Sequence, residues 1–321
     1  MRRSQSNKTI LEAMDLFIRH SKNGRRTRSG RPVSKSTLEY YKRLRELYIG
    51  FTNKSISLRK NESVVKNHIR KFVHYLTKVR PNSAFNDVPQ VRSMIKYCIS
   101  ERNIQFNSYV LDNLKAPKPR REVFTIPREA IRSILKYRRK DVHYHKRHYL
   151  DAIHILAYTG LRGVDVCNLK RKDLRRITKD NETTWHILTV NKKTNEITRN
   201  PIPKYLAQRL LDNYHKQGKI LNIDRNNLSS NIRSVLHEMK LKLLEERHTI
   251  SGVDKDGKPF HKTDELRNLI TPHMFRKTAV TVQLMNGENK EQVRKRHGFS
   301  VNSSAFERYV NVADESGVIN Y

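Results

Sequence analysis

The sequence predicts a mainly α-helical protein with small β elements, divided into two domains. Apolar residues recur at helical spacing through most of the chain, and strand-like alternation is confined to short segments of its C-terminal half. The length of 321 residues fits two domains with ordinary cores. A basic stretch with two prolines, residues 114–123, separates a purely helical part from a mixed one.

Four amphipathic helices are predicted before this stretch. Thr9 with Glu12, and Ser36 with Glu39, have capping-box spacing and mark the starts of the first and second helices. Apolar residues at helical intervals mark the third and fourth: Val65, Ile69, Phe72, Val73 and Leu76, then Val88, Val91, Ile95 and Cys98. Helices with basic outer faces predict a bundle over residues 1–116 that can lie across a duplex.

A linker is predicted over 117–123, with the boundary near Pro117, and a second domain over 124–321. Its first helix begins near Pro127, and its second spans about 149–158 and ends at Thr159-Gly160. The predicted elements that follow are a short helix from Arg162, strands over 185–190 and 196–202, helices over 204–214 and 227–245, and a hairpin turn at Asp256-Gly257.

The charge balance indicates a polyanionic partner. Lys+Arg 66 against Asp+Glu 31 gives a net charge of +35, and the isoelectric point is about 10.4. Such an excess creates a positive field that suits double-stranded DNA. Charge alone equally fits a non-catalytic DNA-binding protein held by counterion release.

Cofactors and membranes are not expected. Two cysteines cannot form a zinc cluster, and Asp254-x-Asp256-Gly257 lacks the remaining ligands of a calcium loop. No apolar run approaches the ~20 residues that a membrane span needs. The N-terminus lacks the apolar core of a secretory signal. We therefore expect no metal or other cofactor, no membrane partner, and a cytoplasmic, DNA-associated protein.

A candidate site is formed by cationic and proton-carrying groups that lead up to one phenol. His273, Arg276 and His297 precede Tyr309, and Arg162 lies much earlier in the chain. Two arginines neutralise an anion with more than one charged oxygen, histidines carry protons near neutral pH, and a tyrosine can form a covalent ester. These groups predict a site that breaks and remakes a DNA phosphodiester without a metal.

Two strings carry a resemblance to a known family. Residues 159–162 read Thr-Gly-Leu-Arg, and 271–278 read Thr-Pro-His-Met-Phe-Arg-Lys-Thr. They resemble the tyrosine recombinase (phage integrase) family, whose catalytic domain has such an arginine box, then His-x-x-Arg, a later histidine and a nucleophilic tyrosine. The motifs cover about 124–310, and the N-terminal half is similar in organisation only. The resemblance implies a SAM-like core-binding domain over 1–116 and a catalytic domain over 124–321.

The resemblance also implies a role for each site residue. Arg162 and Arg276 grip the scissile phosphate, and Tyr309 is the nucleophile. His273 donates to the phosphate or takes the tyrosine proton, and Asp165 orients the site, where the family more often has glutamate. The remaining implied role is that of a general acid in a hairpin turn, which protonates the departing 5′-oxygen: Lys193, with Lys192 as its rival by one position.

His297 and Tyr309 match the family pattern with two departures. Lys295-Arg296 stands where the family has leucine-glycine before the histidine. The interval from His297 to Tyr309 is also a few residues longer than the family commonly shows, which an insertion over 300–304 would explain. The only later tyrosine, Tyr321, ends the sequence and is the alternative nucleophile.

The implied function is that of a site-specific recombinase or integrase of a mobile genetic element. It would act through a 3′-phosphotyrosine intermediate, as a homo-tetramer on two DNA sites. Alternatives are a transposase or dimer-resolution recombinase of the same family, a type IB topoisomerase, and a non-catalytic DNA-binding protein. Because helical pattern begins by residue 9, no separate arm-binding domain is expected before it. The target sequence and the involvement of an accessory DNA-bending protein are left open.

Overall fold

The structure is a computed structural model that describes residues 9–27, 30, 32–81, 83–117, 120–121, 123–179, 181–190, 197–213, 218–253 and 258–316. Over these ranges the chain is mainly helical with two small three-stranded sheets, which confirms the predicted fold class. The chain divides into a first unit, Met1–Arg121 with Ser251–Phe260, and a second unit, Glu122–Ile250 with His261–Tyr321. None of the described helices is long and apolar enough to cross a bilayer.

The first unit is a bundle of four helices: α1 (Ile10–Lys22), α2 (Lys35–Phe51), α3 (Glu62–Val79) and α4 (Ala84–Glu101). The apolar positions that predict α3 and α4 all lie in its core. α1 starts at the predicted capping box, where the Thr9 hydroxyl accepts from the Glu12 amide at 3.2 Å and Glu12 accepts from the Thr9 amide at 2.7 Å.

The capping box predicted at Ser36 and Glu39 is wrong. The N-cap of α2 is Ser34, whose backbone is extended and whose hydroxyl accepts from the Thr37 amide at 3.2 Å. Ser36 and Glu39 therefore lie inside the helix. Ser34 and Ser36 both carry a hydroxyl of the kind that caps helices. The serine with the extended backbone, Ser34, is the one that caps α2.

The second unit contains ten described helices: α5 (Arg128–Lys136), α6 (Arg147–Thr159), α7 (Gly163–Val166), α8 (Lys204–Asp212), α9 (Leu228–Glu238), α10 (Lys242–Glu245), α11 (Leu266–Leu269), α12 (Pro272–Met285), α13 (Lys290–Arg296) and α14 (Ser304–Ser316). Helix α6 is central: from Leu150 to Leu156 every residue is at most 1% exposed. It packs against α5, α9 and α12.

Two antiparallel sheets accompany the helices. One consists of β2 (Leu174–Lys179), β3 (Glu182–Val190) and β4 (Ile197–Ile202), in that order. In the other, of order β1-β5-β6, the pair Arg120–Arg121 (β1) lies against Val253 and Gly252 of β5 (Arg247–Val253), and β6 is Pro259–Glu265. The predicted turn at Asp256-Gly257 lies outside the described residues.

Two further differences from the sequence prediction lie in the second unit. Strand β2 is not predicted, because its basic sequence LRRITK lacks apolar alternation, and its pairing with β3 is what makes it a strand. The single helix predicted over 227–245 is two helices. Lys240 between them has a φ of 47°, which ends the first helix without a glycine or proline to announce it.

Candidate active site

The first arginine of the site is positioned by the end of α6. Gly160 follows this helix with a left-handed φ of 57°. A Cβ at Gly160 would lie 2.7 Å from His297 Cε1 and 2.9 Å from Ala279 Cβ, so glycine is required by space as well as by conformation. The chain turns at once into α7, whose N-cap is Arg162. The Thr-Gly-Leu-Arg string thus fixes where this arginine stands.

The second arginine lies on α12, which begins at the N-cap Thr271 with Pro272 in its first turn. His273 and Arg276 are three residues apart and share one face of this helix. Their environments differ, because His273 is exposed whereas Arg276 is only 3% exposed.

Backbone carbonyls hold the Arg276 guanidinium. Nη1 donates to the Gly160 carbonyl at 2.9 Å, and Nη2 donates to the His297 carbonyl. The guanidinium carbon also lies 4.5 Å from the centre of the Phe299 ring. Burial, and then the nearby Arg162, lower the pKa of Arg276 to about 10, so the group stays charged at neutral pH. The result is a fixed cation at the base of the site.

Tyr309 lies on α14, and its side chain is only 4% exposed. It packs in a small apolar cluster, with its ring centre 5.8 Å from that of Phe299 in an edge-on arrangement. Burial raises the pKa of the Tyr309 hydroxyl, while Arg276 and Arg308 act to lower it. The phenol is therefore protonated at rest, beside cations that stabilise its anion.

One pocket, with a volume of about 620 Å³, brings part of the predicted site together. Four of the predicted residues line it: Arg162, His273, Arg276 and Tyr309. The other lining residues are Gly163, Val164, Arg225, Asn226, Leu228, Ser229, Thr271, Pro272, Phe299, Ser303, Ala305 and Arg308. Residues far apart in the sequence are thus gathered around one polar space.

His273 is suited to accept a proton. Desolvation by the surrounding protein atoms lowers its pKa. The positive charges of Lys277, Arg276, Arg162 and Arg308 lower it further. The imidazole is therefore neutral at pH 7 and offers a lone pair inside the pocket.

Asp165 lies beside the pocket without lining it. Its Oδ2 is 4.0 Å from Nη1 of Arg162, one helical turn earlier in the chain. Arg162 also donates from Nη2 to the Gly298 carbonyl at 3.4 Å. The carboxylate is thus placed to orient the arginine.

His297 lies outside the pocket wall. Its side chain is 2% exposed, and its Nε2 lies 3.0 Å from Oε1 of Gln283. Burial, followed by the charge of Arg276, lowers the pKa of His297 to about 3. The histidine is therefore a neutral buried group, and Phe299, two residues later, is the side chain that reaches the pocket. Lys193 and its rival Lys192 lie outside the described residues.

Three further charged or aromatic residues of the pocket, Arg225, Phe299 and Arg308, are not predicted as site residues from the sequence. Arg308 has one local signal, since it adjoins Tyr309, and Phe299 adjoins the histidine motif. Arg225 has none, because nothing distinguishes it from the many other exposed cations of this chain.

Comparison with known proteins identifies the family. A profile of the phage integrase family matches residues 125–316, which include every described site residue. The chain belongs to the phage integrase family. This confirms the predicted family membership. Tyrosine recombinase XerD of Rickettsia bellii (strain RML369-C) is 26% identical over 206 residues, or 60% of this chain. The match spans 65% of that relative, slightly less than two thirds of its length.

Solved integrase structures share the fold of this phage integrase family member. The Tn1549 transposon integrase (residues 82–397), in complex with circular intermediate DNA, is 19% identical with a TM-score of 0.60. The match covers 97% of this chain and 99% of that one. A lambda integrase (residues 75–356) dimer bound to a COC′ core site is 13% identical, with a TM-score of 0.62 over 94% and 95% of the two chains. At such identities the likeness concerns the fold alone.

Proposed function

We propose that this protein is a site-specific DNA recombinase of integrase type, which cleaves and rejoins strands through a 3′-phosphotyrosine at Tyr309. The observation that carries the proposal is the shared pocket, in which Arg162, His273 and Arg276 surround the tyrosine. Family membership supports the same chemistry. In the proposed organisation, 1–116 is a SAM-like core-binding domain, 117–123 the linker and 124–321 the catalytic domain.

The first step is binding of the scissile phosphate by the two arginines. A guanidinium has five N–H donors, and Arg276 uses two of its nitrogens to hold backbone carbonyls. Its remaining donors and those of Arg162 bind the two non-bridging oxygens. Both cations stabilise the additional charge that develops on these oxygens in the pentacoordinate transition state.

The second step is attack by the tyrosine. Its Oη forms a bond to phosphorus, the bond from phosphorus to the 5′-oxygen breaks, and the phenolic proton passes to neutral His273. Lys193, or Lys192 one position away, supplies a proton to the departing 5′-oxygen. A 5′-hydroxyl of the partner strand then attacks the phosphotyrosine and releases Tyr309. The ester preserves the phosphodiester energy, so the exchange needs no nucleotide hydrolysis.

His297 serves this chemistry as a positioning residue. Its carbonyl accepts from Arg276, and its imidazole faces Gln283 instead of the pocket. The Phe299 ring centre lies 4.5 Å from the Arg276 guanidinium carbon, and both side chains line the pocket. Asp165 has a similar supporting role through Arg162.

The proposed assembly is a homo-tetramer on two DNA sites, in the cytoplasm and associated with DNA. The net charge of +35 supports a DNA partner. A lambda integrase, 14% identical with a TM-score of 0.61, has been solved as a tetramer bound to a Holliday junction. That structure supports the proposed stoichiometry by analogy of fold.

Covalent capture from random DNA tests the proposal and finds the target sequence at the same time. Wild type and Tyr309→Phe are incubated in EDTA with a pool of random-sequence duplexes, each nicked near its centre. Cleavage close to the nick releases a short fragment and traps the adduct. Protein-linked DNA is recovered under denaturing conditions and sequenced. We expect wild type to enrich a target joined through its 3′ end, and Tyr309→Phe to recover nothing.

A matched control and two contrary outcomes complete this experiment. Tyr144→Phe changes a tyrosine that is 72% exposed and outside the pocket, so it should trap DNA as wild type does. Adducts that persist in Tyr309→Phe would show that another residue is the nucleophile, and Tyr321 would be tested next. DNA binding by wild type without any adduct would favour a non-catalytic binding protein.

A further inference from the structure

Two arginines line the pocket without a role in the steps above: Arg225 and Arg308. Both are exposed. Among the described residues, neither has a carboxylate at ion-pair distance, although other arginines of the chain do. The paired arginines include Arg80 with Asp87 at 3.2 Å, Arg209 with Asp151 at 2.8 Å and Arg294 with Glu291 at 2.6 Å.

The two arginines come from different segments of the second unit. Arg308 lies on α14 and directly precedes Tyr309, whereas Arg225 lies shortly before α9. Neutral hydrogen-bonding side chains line the same pocket, namely Asn226, Ser229 and Ser303. Donors therefore extend beyond the group formed by the two phosphate-gripping arginines.

These additional donors exceed what one phosphate requires. A phosphodiester has two non-bridging oxygens that share one negative charge, and Arg162 with Arg276 already match them. The pocket volume of about 620 Å³ is in the range of sites that hold whole small ligands, roughly 300–1,000 Å³. A DNA strand presents a phosphate about every 3.4 Å of helix rise. The next anion along the strand is therefore the natural partner for a second pair of cations.

We propose that Arg225 and Arg308 form a second phosphate subsite, which holds the phosphodiester adjoining the one cleaved by Tyr309. The proposal rests on the proposed function and deepens it. The two arginines are positioning residues: they fix the strand on one side of the scissile phosphate, so that the attacking and departing oxygens stay in line.

The test combines arginine variants with neutral phosphates in the target recovered by covalent capture. A methylphosphonate, which lacks the negative charge, replaces one phosphate at a time around the cleavage point. We expect Arg308→Gln and Arg225→Gln each to slow adduct formation about tenfold or more, as loss of a charged hydrogen bond does. A methylphosphonate at the adjoining position should slow adduct formation by wild type to a similar degree. On that duplex, wild type and the two variants should then react at the same rate.

Arg132→Gln is the matched control, because Arg132 is an exposed arginine on α5 outside the pocket. It should react at the wild-type rate with every duplex. Unchanged fluorescence of the single tryptophan, Trp185, would show that each variant keeps its fold.

Three results would overturn the subsite. Wild-type rates in both variants would show that the arginines do not contribute. If both variants remain slower than wild type on every methylphosphonate duplex, the two arginines contact no neighbouring phosphate. A deficit in Arg308→Gln that disappears at higher pH would show that Arg308 acts on proton transfer at Tyr309 instead.

Failure of the proposed function is distinguishable from failure of the subsite. If wild type traps no DNA, binding of a random-sequence duplex is measured in the Tyr309→Phe background as salt is raised. Loss of one phosphate contact reduces the slope of log affinity against log salt by about 0.9. Arg308→Gln and Arg225→Gln should each show this reduction and Arg132→Gln should not. Equal slopes in all four proteins would overturn the subsite independently of catalysis.

Discussion

His297 illustrates how burial changes the use of a residue. A solvated imidazole takes up protons near neutral pH. Here the ring is enclosed beside Gly160 and Gln283, and three arginines lie close by. Burial and these positive charges both disfavour its protonated form. The same residue that the motif marks as a proton carrier is thus a neutral, buried group outside the pocket.

The pH dependence of stability should report this burial. The pKa of His297 is about 3 in the folded protein, against 6.5 for an unperturbed histidine. Between these values the unfolded chain binds a proton that the folded chain does not, so the free energy of unfolding should fall as pH is lowered from 6.5. We expect His297→Gln to show a shallower fall. Urea unfolding followed by Trp185 fluorescence measures it in the second unit.

An exposed histidine provides the comparison for this experiment. His143→Gln is the matched control, because His143 is exposed. The buried His154, whose pKa is lowered to about 4 chiefly by burial, leaves part of the fall in every variant. Identical curves for His297→Gln and wild type would contradict a neutral, buried His297.

At the scale of elements, the junction between α6 and α7 brings backbone and site together. Gly160 ends α6 with a φ of 57°, and its missing side chain leaves the space that His297 and Ala279 occupy. The next residue but one is Arg162. A change at this junction should therefore affect stability and phosphate binding at once.

Gly160→Ala should be destabilising and should reduce cleavage. A left-handed alanine costs about 1–2 kcal/mol, and the overlap with His297 and Ala279 adds the typical cost of overpacking, about 1–3 kcal/mol. Gly287→Ala separates the two effects, since Gly287 has a φ of 76° but nothing within 4 Å of its added Cβ. In urea, the free energy of unfolding of Gly160→Ala should be well below that of Gly287→Ala. Equal losses of stability would mean that His297 and Ala279 move to make room for the methyl group.

The sequence predicts most elements where the signal is local. The capping box at Thr9 and the glycine stop at Gly160 act through neighbours a few residues away, and both stand as predicted. The missed features lack a clear signal in the neighbouring sequence. Strand β2 exists through its pairing with β3, and the break at Lys240 follows a left-handed backbone that lysine does not favour.

The candidate site shows the same division. Arg162, His273, Arg276 and Tyr309 share a pocket as their motifs imply, because each belongs to a recognisable string. The burial of His297 and the arrival of Phe299 in the pocket depend on where α13 ends relative to α12. The sequence interval between His297 and Tyr309 indicates an irregularity there without indicating which side chain faces the phosphate.

At the scale of the whole molecule, charge should dominate encounter with DNA. The chain carries a net charge of +35, so non-specific binding should release many counterions. If six to ten phosphates are contacted, affinity should fall about 10³–10⁵-fold between about 50 and 200 mM salt. Fluorescence anisotropy with Tyr309→Phe and a random-sequence duplex measures the slope. A slope near zero would contradict an electrostatic mode of binding.

The carbonyl contacts of Arg276 have a consequence for how this protein tolerates genetic change. Substitutions at positions 160 and 297 alter side chains but leave both carbonyl acceptors in place wherever the backbone keeps its course. An insertion or deletion between α12 and α13 would instead move the His297 carbonyl away from the arginine. A one-residue insertion or deletion within 286–289 should therefore disturb Arg276 more than replacement of a side chain in the same four residues, which leaves the length of the connection unchanged.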